Sequence, residues 1–148
     1  MQLSQKEASL LKDMKSEEKL CVDKYHKNAE AAKDPQLKNL FNKLATEEQK
    51  HYDLLTEMEN GTVPTLSPST GSESFTATYS GDSPDKENDC YLCSDLLTTE
   101  KHVSHLYDTG IFEFKDENAR TLLNAIQKHE QGHGKAIYDY MSTNGMYS

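Results

Sequence analysis

The chain has 148 residues, 34% of them hydrophobic and none Trp, which allows one core of ordinary size and suits helices that each commit a narrow stripe to it. Its net charge of −9 argues against a nucleic-acid partner, whose phosphates would be repelled, and no apolar run approaches the roughly 18 residues that span a membrane. The opening MQLSQKEASLLKDMKSEEK has no apolar segment of the signal-peptide kind, so cytoplasmic synthesis is expected. An odd three cysteines predict thiols rather than a disulfide framework.

The first predicted helix opens on Ser4-Gln5-Lys6-Glu7, a capping box in which each side chain satisfies the other's free backbone N–H. Leu11, Met14, Glu18, Cys21, Tyr25 and Ala32 then follow at spacings of three and four, with one skipped place at Asn28, and line one face. Asp34-Pro35 ends this helix and starts the next, because Asp suits an N-cap and Pro the first helical position. The second helix carries the stripe Leu37, Phe41, Leu44, Glu48, His51, Leu55, Met58 and stops at Asn60-Gly61.

Residues 60–83 are rich in Ser, Thr, Gly and Pro and have no helical period, which predicts a long crossover loop. Extended at about 3.3 Å per residue it reaches about 75 Å. A helix of about 24 residues is about 36 Å long, so the loop can run the length of a bundle. Ser83-Pro84 starts the third helix, whose stripe is Cys93, Leu96, Glu100, Val103, Tyr107, Gly110, Phe114. Asp116 starts the fourth, with Ala119, Leu123, Ile126, Glu130, His133, Ile137 and Tyr140 on its stripe and Gly145 just past its end. The organisation expected over 1–148 is thus one domain: a helical hairpin over 4–59, the crossover over 60–83 and a second hairpin over 84–142.

The hairpins repeat each other. Residues 11–59 overlay residues 93–141 without a gap, matching Glu18 with Glu100, Tyr25 with Tyr107, Asp34 with Asp116, Glu48 with Glu130 and His51 with His133. Glu-x-x-His therefore occurs twice, as Glu48/His51 and Glu130/His133, each with a glutamate 30 residues upstream (18 to 48, 100 to 130). Glu and His three apart share a helix face. All four glutamates fall on apolar stripes, where an unpaired buried carboxylate costs several kcal/mol and four together also repel. Two divalent cations would neutralise them and take the two imidazoles as neutral ligands. The expected fold is all-α, a four-helix bundle with an internal pseudo-two-fold repeat and a dinuclear metal site. Its ligands are Glu18, Glu48, His51, Glu100, Glu130 and His133, with Glu48 and Glu130 bridging. Mixed carboxylate and imidazole donors suit two divalent ions, iron first, with manganese or zinc as alternatives. The competing reading is a purely structural polar layer.

Glu17 rivals Glu18, but it faces off the stripe and its counterpart in the repeat is Thr99. Tyr25 and Tyr107 each lie seven residues after their glutamate, placed either for core packing or for a hydrogen bond to a ligand carboxylate. Cys90-x-x-Cys93 lacks the second pair of a zinc or rubredoxin site. Cys21 reads as a small core residue. His26, His102, His105 and His129 fall off the stripes and are expected to face solvent.

The arrangement of Glu18, Glu48/His51, Glu100 and Glu130/His133 resembles the ferritin-like di-iron superfamily, and the Glu18-to-Tyr25 spacing is similar to rubrerythrin. LLKDMKSEEKLCVDKY, DPQLKNLFNKLATEEQKHYDLL, LLTTEKHVSHLYDTGIFEF and the terminal Tyr138-Asp139-Tyr140-Met141…Asn144-Gly145-Met146-Tyr147 resemble the coat F domain of spore-forming Firmicutes. That resemblance implies a place in the spore coat, with coat proteins or a second copy of the chain as partners. The chain departs from rubrerythrin in two respects. It has no rubredoxin pair of Cys-x-x-Cys motifs, so electrons would come from an external donor, and Val103 stands where rubrerythrin has an additional glutamate. Three functions follow: a di-iron or di-manganese oxidoreductase acting on peroxide or oxygen, of peroxidase or catalase-like type; a structural coat protein braced by metal; and, last, metal storage.

Overall fold

A computed structural model describes residues 1–68 and 73–147. It contains four helices and, among the described residues, no strand: α1 (Gln5–Ala31), α2 (Pro35–Glu59), α3 (Pro84–Glu113) and α4 (Glu117–Thr143). Each start follows from its cap. Ser4 and Glu7 form the reciprocal capping box, Ser4 N donating to Glu7 Oε1 at 2.8 Å and Glu7 N to Ser4 Oγ at 3.1 Å. Asp34, Ser83 and Asp116 accept from the backbone N–H of Gln36, Lys86 and Ala119 at 3.0, 3.1 and 2.8 Å. Gly61 and Gly145, at φ 95° and 67°, follow α2 and α4 in the left-handed conformation that closes a helix C-terminus. Ala32 is not the last residue of the α1 stripe: it is the C-cap, extended at ψ 145° and still buried, because the chain must leave the helix before the Asp34-Pro35 start.

α1 packs along α2 and α3 along α4, and α1 also packs against α3. The α1–α3 pair is antiparallel, since Tyr25 reaches Glu100 while Tyr107 reaches Glu18. The terminal methyl of Met14 of α1 fills the space beside Gly110 of α3 that a Cβ would otherwise take. The fold is the expected all-α, ferritin-like four-helix bundle.

The core divides into two apolar clusters. One gathers Tyr25, Ala29, Leu37, Phe41, Leu44, Leu96, Ile137 and Tyr140 with their neighbours. The other gathers Leu11, Met14, Cys21, Leu55, Met58, Val103, Tyr107, Phe114 and Ile126 with theirs. On α2, α3 and α4 the glutamates and histidines of the repeat lie between the two clusters; on α1 Glu18 lies between Met14 and Cys21, both of the second cluster.

The repeat also ties each hairpin turn to the opposite hairpin. Asp89 of α3 accepts from Lys33 N and Asp34 N at 2.8 and 2.9 Å, at the α1–α2 turn. Glu7 of α1 accepts from Lys115 N at 3.0 Å, at the α3–α4 turn. Positions 7 and 89 bear the same relation as 48 and 130.

Between α2 and α3, Val63 and Leu66 pack against the second cluster and Phe75 against the first. Gln36 exchanges hydrogen bonds with the backbone of Thr76, and Thr78 Oγ1 donates to Asp34 Oδ2 at 2.7 Å. The crossover expected over 60–83 includes residues 69–72, which lie outside the described residues. No helix among the described residues is long and apolar enough to cross a membrane.

Candidate metal centre

Glu18, Glu48, His51, Glu100, Glu130 and His133 are all buried, none more than 4% exposed. They sit there because the apolar residues one turn above and below each of them pack into the two clusters and carry the polar layer inward with them. The structure brings the six side chains together around a pseudo-two-fold axis.

Two sets of four donors result: Glu18, Glu48, His51 and Glu130; and Glu48, Glu100, Glu130 and His133. Within each set one donor atom per residue lies within 4.8 Å of every other. Glu48 and Glu130 belong to both sets. Both histidines turn Nδ1 toward the carboxylates. His51 Nδ1 lies 2.8 Å from Glu130 Oε1, 3.7 Å from Glu48 Oε2 and 3.8 Å from Glu18 Oε2. His133 Nδ1 lies 2.5 Å from Glu48 Oε1, 3.3 Å from Glu100 Oε1 and 3.7 Å from Glu130 Oε2. Each histidine thus leans on the Glu-x-x-His glutamate of the other hairpin.

The outer glutamates are held by tyrosines. Tyr25 donates to Glu100 Oε1 at 2.6 Å, and Tyr107 donates to Glu18 Oε1 at 2.5 Å. Each hydroxyl serves the glutamate of the opposite hairpin, not the one seven residues before it. Burial and the adjacent carboxylates hold both phenols well above their ordinary value, so they are proton donors at any physiological pH.

Crowding four carboxylates out of water has the expected electrostatic consequence. Burial, then repulsion from Glu130, Glu18 and Glu100, pushes Glu48 far above the usual carboxylate range. Burial and Glu130 push Glu100 up to about 8. Burial alone would depress His51, but the carboxylates of Glu130 and Glu18 outweigh it and raise the imidazole to about 9. Protons here do the work that cations would do.

The donor set fits divalent metal. Glu18 Oε2, Glu48 Oε2, Glu100 Oε2 and Glu130 Oε2 are buried acceptors without a hydrogen-bond partner, a state that is costly unless something positive satisfies them. Donors on opposite sides of an ion with bonds of about 2.1 Å lie about 4.2 Å apart, so a limit of 4.8 Å leaves only small side-chain adjustments to close either set.

The other flagged residues fall elsewhere. Glu17 is only half-buried and lies 3.9 Å from the exposed His102, away from the cluster. Cys21, Cys90 and Cys93 are free thiols, and burial followed by Asp89 pushes Cys93 up, away from thiolate chemistry. His26, His102 and His105 are exposed as expected. His129 is not. It is half-buried, its Nε2 lies 3.0 Å from the Ser67 carbonyl oxygen, and its ring meets that of His51 edge-on at 5.4 Å. A residue beside the stripe is covered when the chain outside the helices folds over it, which helical periodicity does not register. Glu47 is hidden from helical periodicity for a related reason. It neighbours Glu48 off the stripe, yet its Oε2 lies 3.0 Å from His133 Nε2.

Two family models match the chain, Rubrerythrin over residues 4–59 and Coat F domain over residues 88–148. No curated protein and no solved structure matches it. The rubrerythrin match spans α1 and α2, which carry Glu18, Glu48 and His51; the Coat F match spans most of α3 and all of α4, which carry Glu100, Glu130 and His133. These matches and the buried carboxylate and histidine groups allow metal binding and point to the spore coat. One ferritin-like four-helix bundle thus pairs a hairpin that matches the Rubrerythrin model with a hairpin that matches the Coat F domain model.

Proposed function

We propose that the protein is a dinuclear metal protein of the spore coat that reduces peroxide or oxygen at a carboxylate-bridged centre. The observation that carries this reading is the sharing of Glu48 and Glu130 between two four-donor sets. In it Glu48 and Glu130 bridge, Glu18 and Glu100 are terminal ligands, and His51 and His133 complete the two positions. Two iron or manganese ions would supply two electrons between them when bound, the number needed to cleave the O–O bond of a peroxide; zinc, which has no redox chemistry, would serve only as a brace. The protein contributes the rest. Tyr25 and Tyr107 fix the rotamers of Glu100 and Glu18 and keep a proton at each. The apolar clusters on either side keep bulk water from the layer. Disproportionation of hydrogen peroxide needs no other reductant, whereas net reduction to water draws on a donor outside the chain.

A structural reading has its own support. Without any ion, Tyr25–Glu100, Tyr107–Glu18 and His51–Glu130 already join the two hairpins across the core, as a brace would. In that reading the metal adds stability and coat proteins are the partners.

Metal content per chain of protein purified without added metal, by elemental mass spectrometry, comes first. About two iron or manganese atoms per chain, with peroxide consumed by that sample, supports the oxidoreductase. Two atoms per chain with no turnover supports the brace. A folded protein with metal near zero, unable to take up two equivalents on addition, overturns the dinuclear reading.

A further inference from the structure

The pseudo-two-fold symmetry of the six inner residues fails immediately outside them. Glu47, which faces His133, corresponds in the repeat to His129, which faces His51. His133 Nε2 is 3.0 Å from the Glu47 carboxylate. His51 Nε2 is buried and has no hydrogen-bond partner among the described residues. Its neighbour is the His129 ring, whose own Nε2 lies at hydrogen-bond distance, 3.0 Å, from the Ser67 carbonyl oxygen.

The tautomers follow from these contacts. If Nδ1 of each inner histidine faces the carboxylates as a metal donor, the ring proton sits on Nε2. For His133 that N–H points at a carboxylate, which draws the proton outward and makes Nδ1 a stronger donor. A carbonyl oxygen only accepts, so the His129 proton also sits on Nε2, and its Nδ1 is the one acceptor that ring has left to offer His51. An imidazole acceptor carries no formal negative charge. The His133 position therefore has one more carboxylate behind it than the His51 position, with the inner donors otherwise matched.

We infer that the two metal positions are inequivalent, with Glu47 acting as a positioning residue that makes the His133 position the tighter one. A divalent ion fills the set Glu48, Glu100, Glu130 and His133 first, and the set Glu18, Glu48, His51 and Glu130 second. This rests on the dinuclear reading above and adds an order to it.

The test is a titration of the metal-free full-length chain with Co(II), read by calorimetry and by visible absorption. Two separable steps are expected for the wild type. Glu47→Gln is expected to weaken the tighter step by about 10- to 100-fold, the usual effect of removing a ligand's outer partner, and to leave the weaker step within about threefold. Glu47→Asp is expected to restore part of the loss. His129→Glu, which makes the two outer contacts alike, is expected to tighten the weaker step. Glu47 lies outside both apolar clusters, so metal-free Glu47→Gln should stay folded and helical, its melting temperature falling only by the loss of the His133 contact. Two ions bound with constants that Glu47→Gln leaves alone, or weakens equally, overturn the inference and spare the dinuclear reading. A wild type that binds fewer than two Co(II) ions overturns both.

Discussion

Tyr25 of the first hairpin donates its hydroxyl proton to Glu100 of the second at 2.6 Å, and the pseudo-symmetric Tyr107 does the same for Glu18. The exchange makes each terminal carboxylate depend on the partner hairpin for its orientation. Tyr25→Phe should therefore loosen Glu100 and the position it shares with His133, and Tyr107→Phe should loosen Glu18 and the position it shares with His51. Each variant should cost about 10- to 100-fold in affinity at one position, with helicity unchanged because the ring still fills the core. Chelator competition on each single mutant, with far-UV circular dichroism alongside, measures both. Equal losses at both positions would mean that the tyrosines act by general packing.

Glu48 and Glu130 are the two residues common to both donor sets. Glu48→Ala with Glu130→Ala should abolish binding of two ions while the chain stays helical, because the apolar clusters on either side of the layer are untouched. The metal-free double mutant should be less stable than the metal-free wild type, since Glu130→Ala takes away the carboxylate that pairs with His51 at 2.8 Å, a loss only partly offset by the relief of repulsion at Glu48. Added Mn(II) should raise the melting temperature of the wild type and not that of the mutant. Retained two-ion stoichiometry in the mutant would remove Glu48 and Glu130 from the site.

Much of the fold was legible because its signals are local. Ser4, Asp34, Ser83 and Asp116 announce helix starts through hydrogen bonds spanning two or three residues, and the structure puts N-caps at all four. The six inner residues could be singled out from one chain because the repeat supplies its own comparison. What stayed hidden depends on contacts between helices. No spacing along α1 says that the Tyr25 hydroxyl reaches Glu100 rather than Glu18. His129 and Glu47 lie beside the stripes, and only the packing of α2 against α4 and the cover from Ser67 turn them toward His51 and His133. Asp89 carries no such signal because it falls before residue 93, where the gapless overlay of the hairpins begins, although it stands in the repeat opposite Glu7.

Asp89 is buried and accepts two backbone N–H groups of the α1–α2 turn and the Tyr79 hydroxyl at 2.6 Å. Asp89→Ala leaves those two N–H groups without their acceptor, at about 1–3 kcal/mol for each unsatisfied buried group. Glu7→Ala removes one contact to the opposite turn, from Lys115 N, and half of a capping box that flanks solvent. Urea unfolding should therefore show a loss of about 2–5 kcal/mol for Asp89→Ala and about 1–2 kcal/mol for Glu7→Ala. The reverse order would mean that the α3–α4 turn, not the α1–α2 turn, limits stability.

Asp34 gives the bundle an acid limb whose sign can be worked out. Burial pushes its carboxyl up, but Tyr140 at 2.6 Å, Thr78 at 2.7 Å and the Gln36 backbone at 3.0 Å all donate to the charged form, and the net shift is downward. A carboxylate depressed in the folded state stabilises it fully above the unfolded value of about 3.9 and loses that contribution as pH falls through the folded value. Asp34→Asn keeps an N-cap and the same volume but removes the charge. At pH 7 it should cost about 1.5–3 kcal/mol, the range for hydrogen bonds to a charged group. The difference between wild type and Asp34→Asn should hold from pH 7 to about pH 4 and shrink toward zero below it. Taking that difference removes the opposing response of Glu48 and Glu100, which are raised and gain protons in both proteins alike. Urea midpoints for the two proteins at several pH values between 2 and 7 give the curve directly. A difference that stays constant to pH 2 would show that the Asp34 contacts act through shape and not through charge.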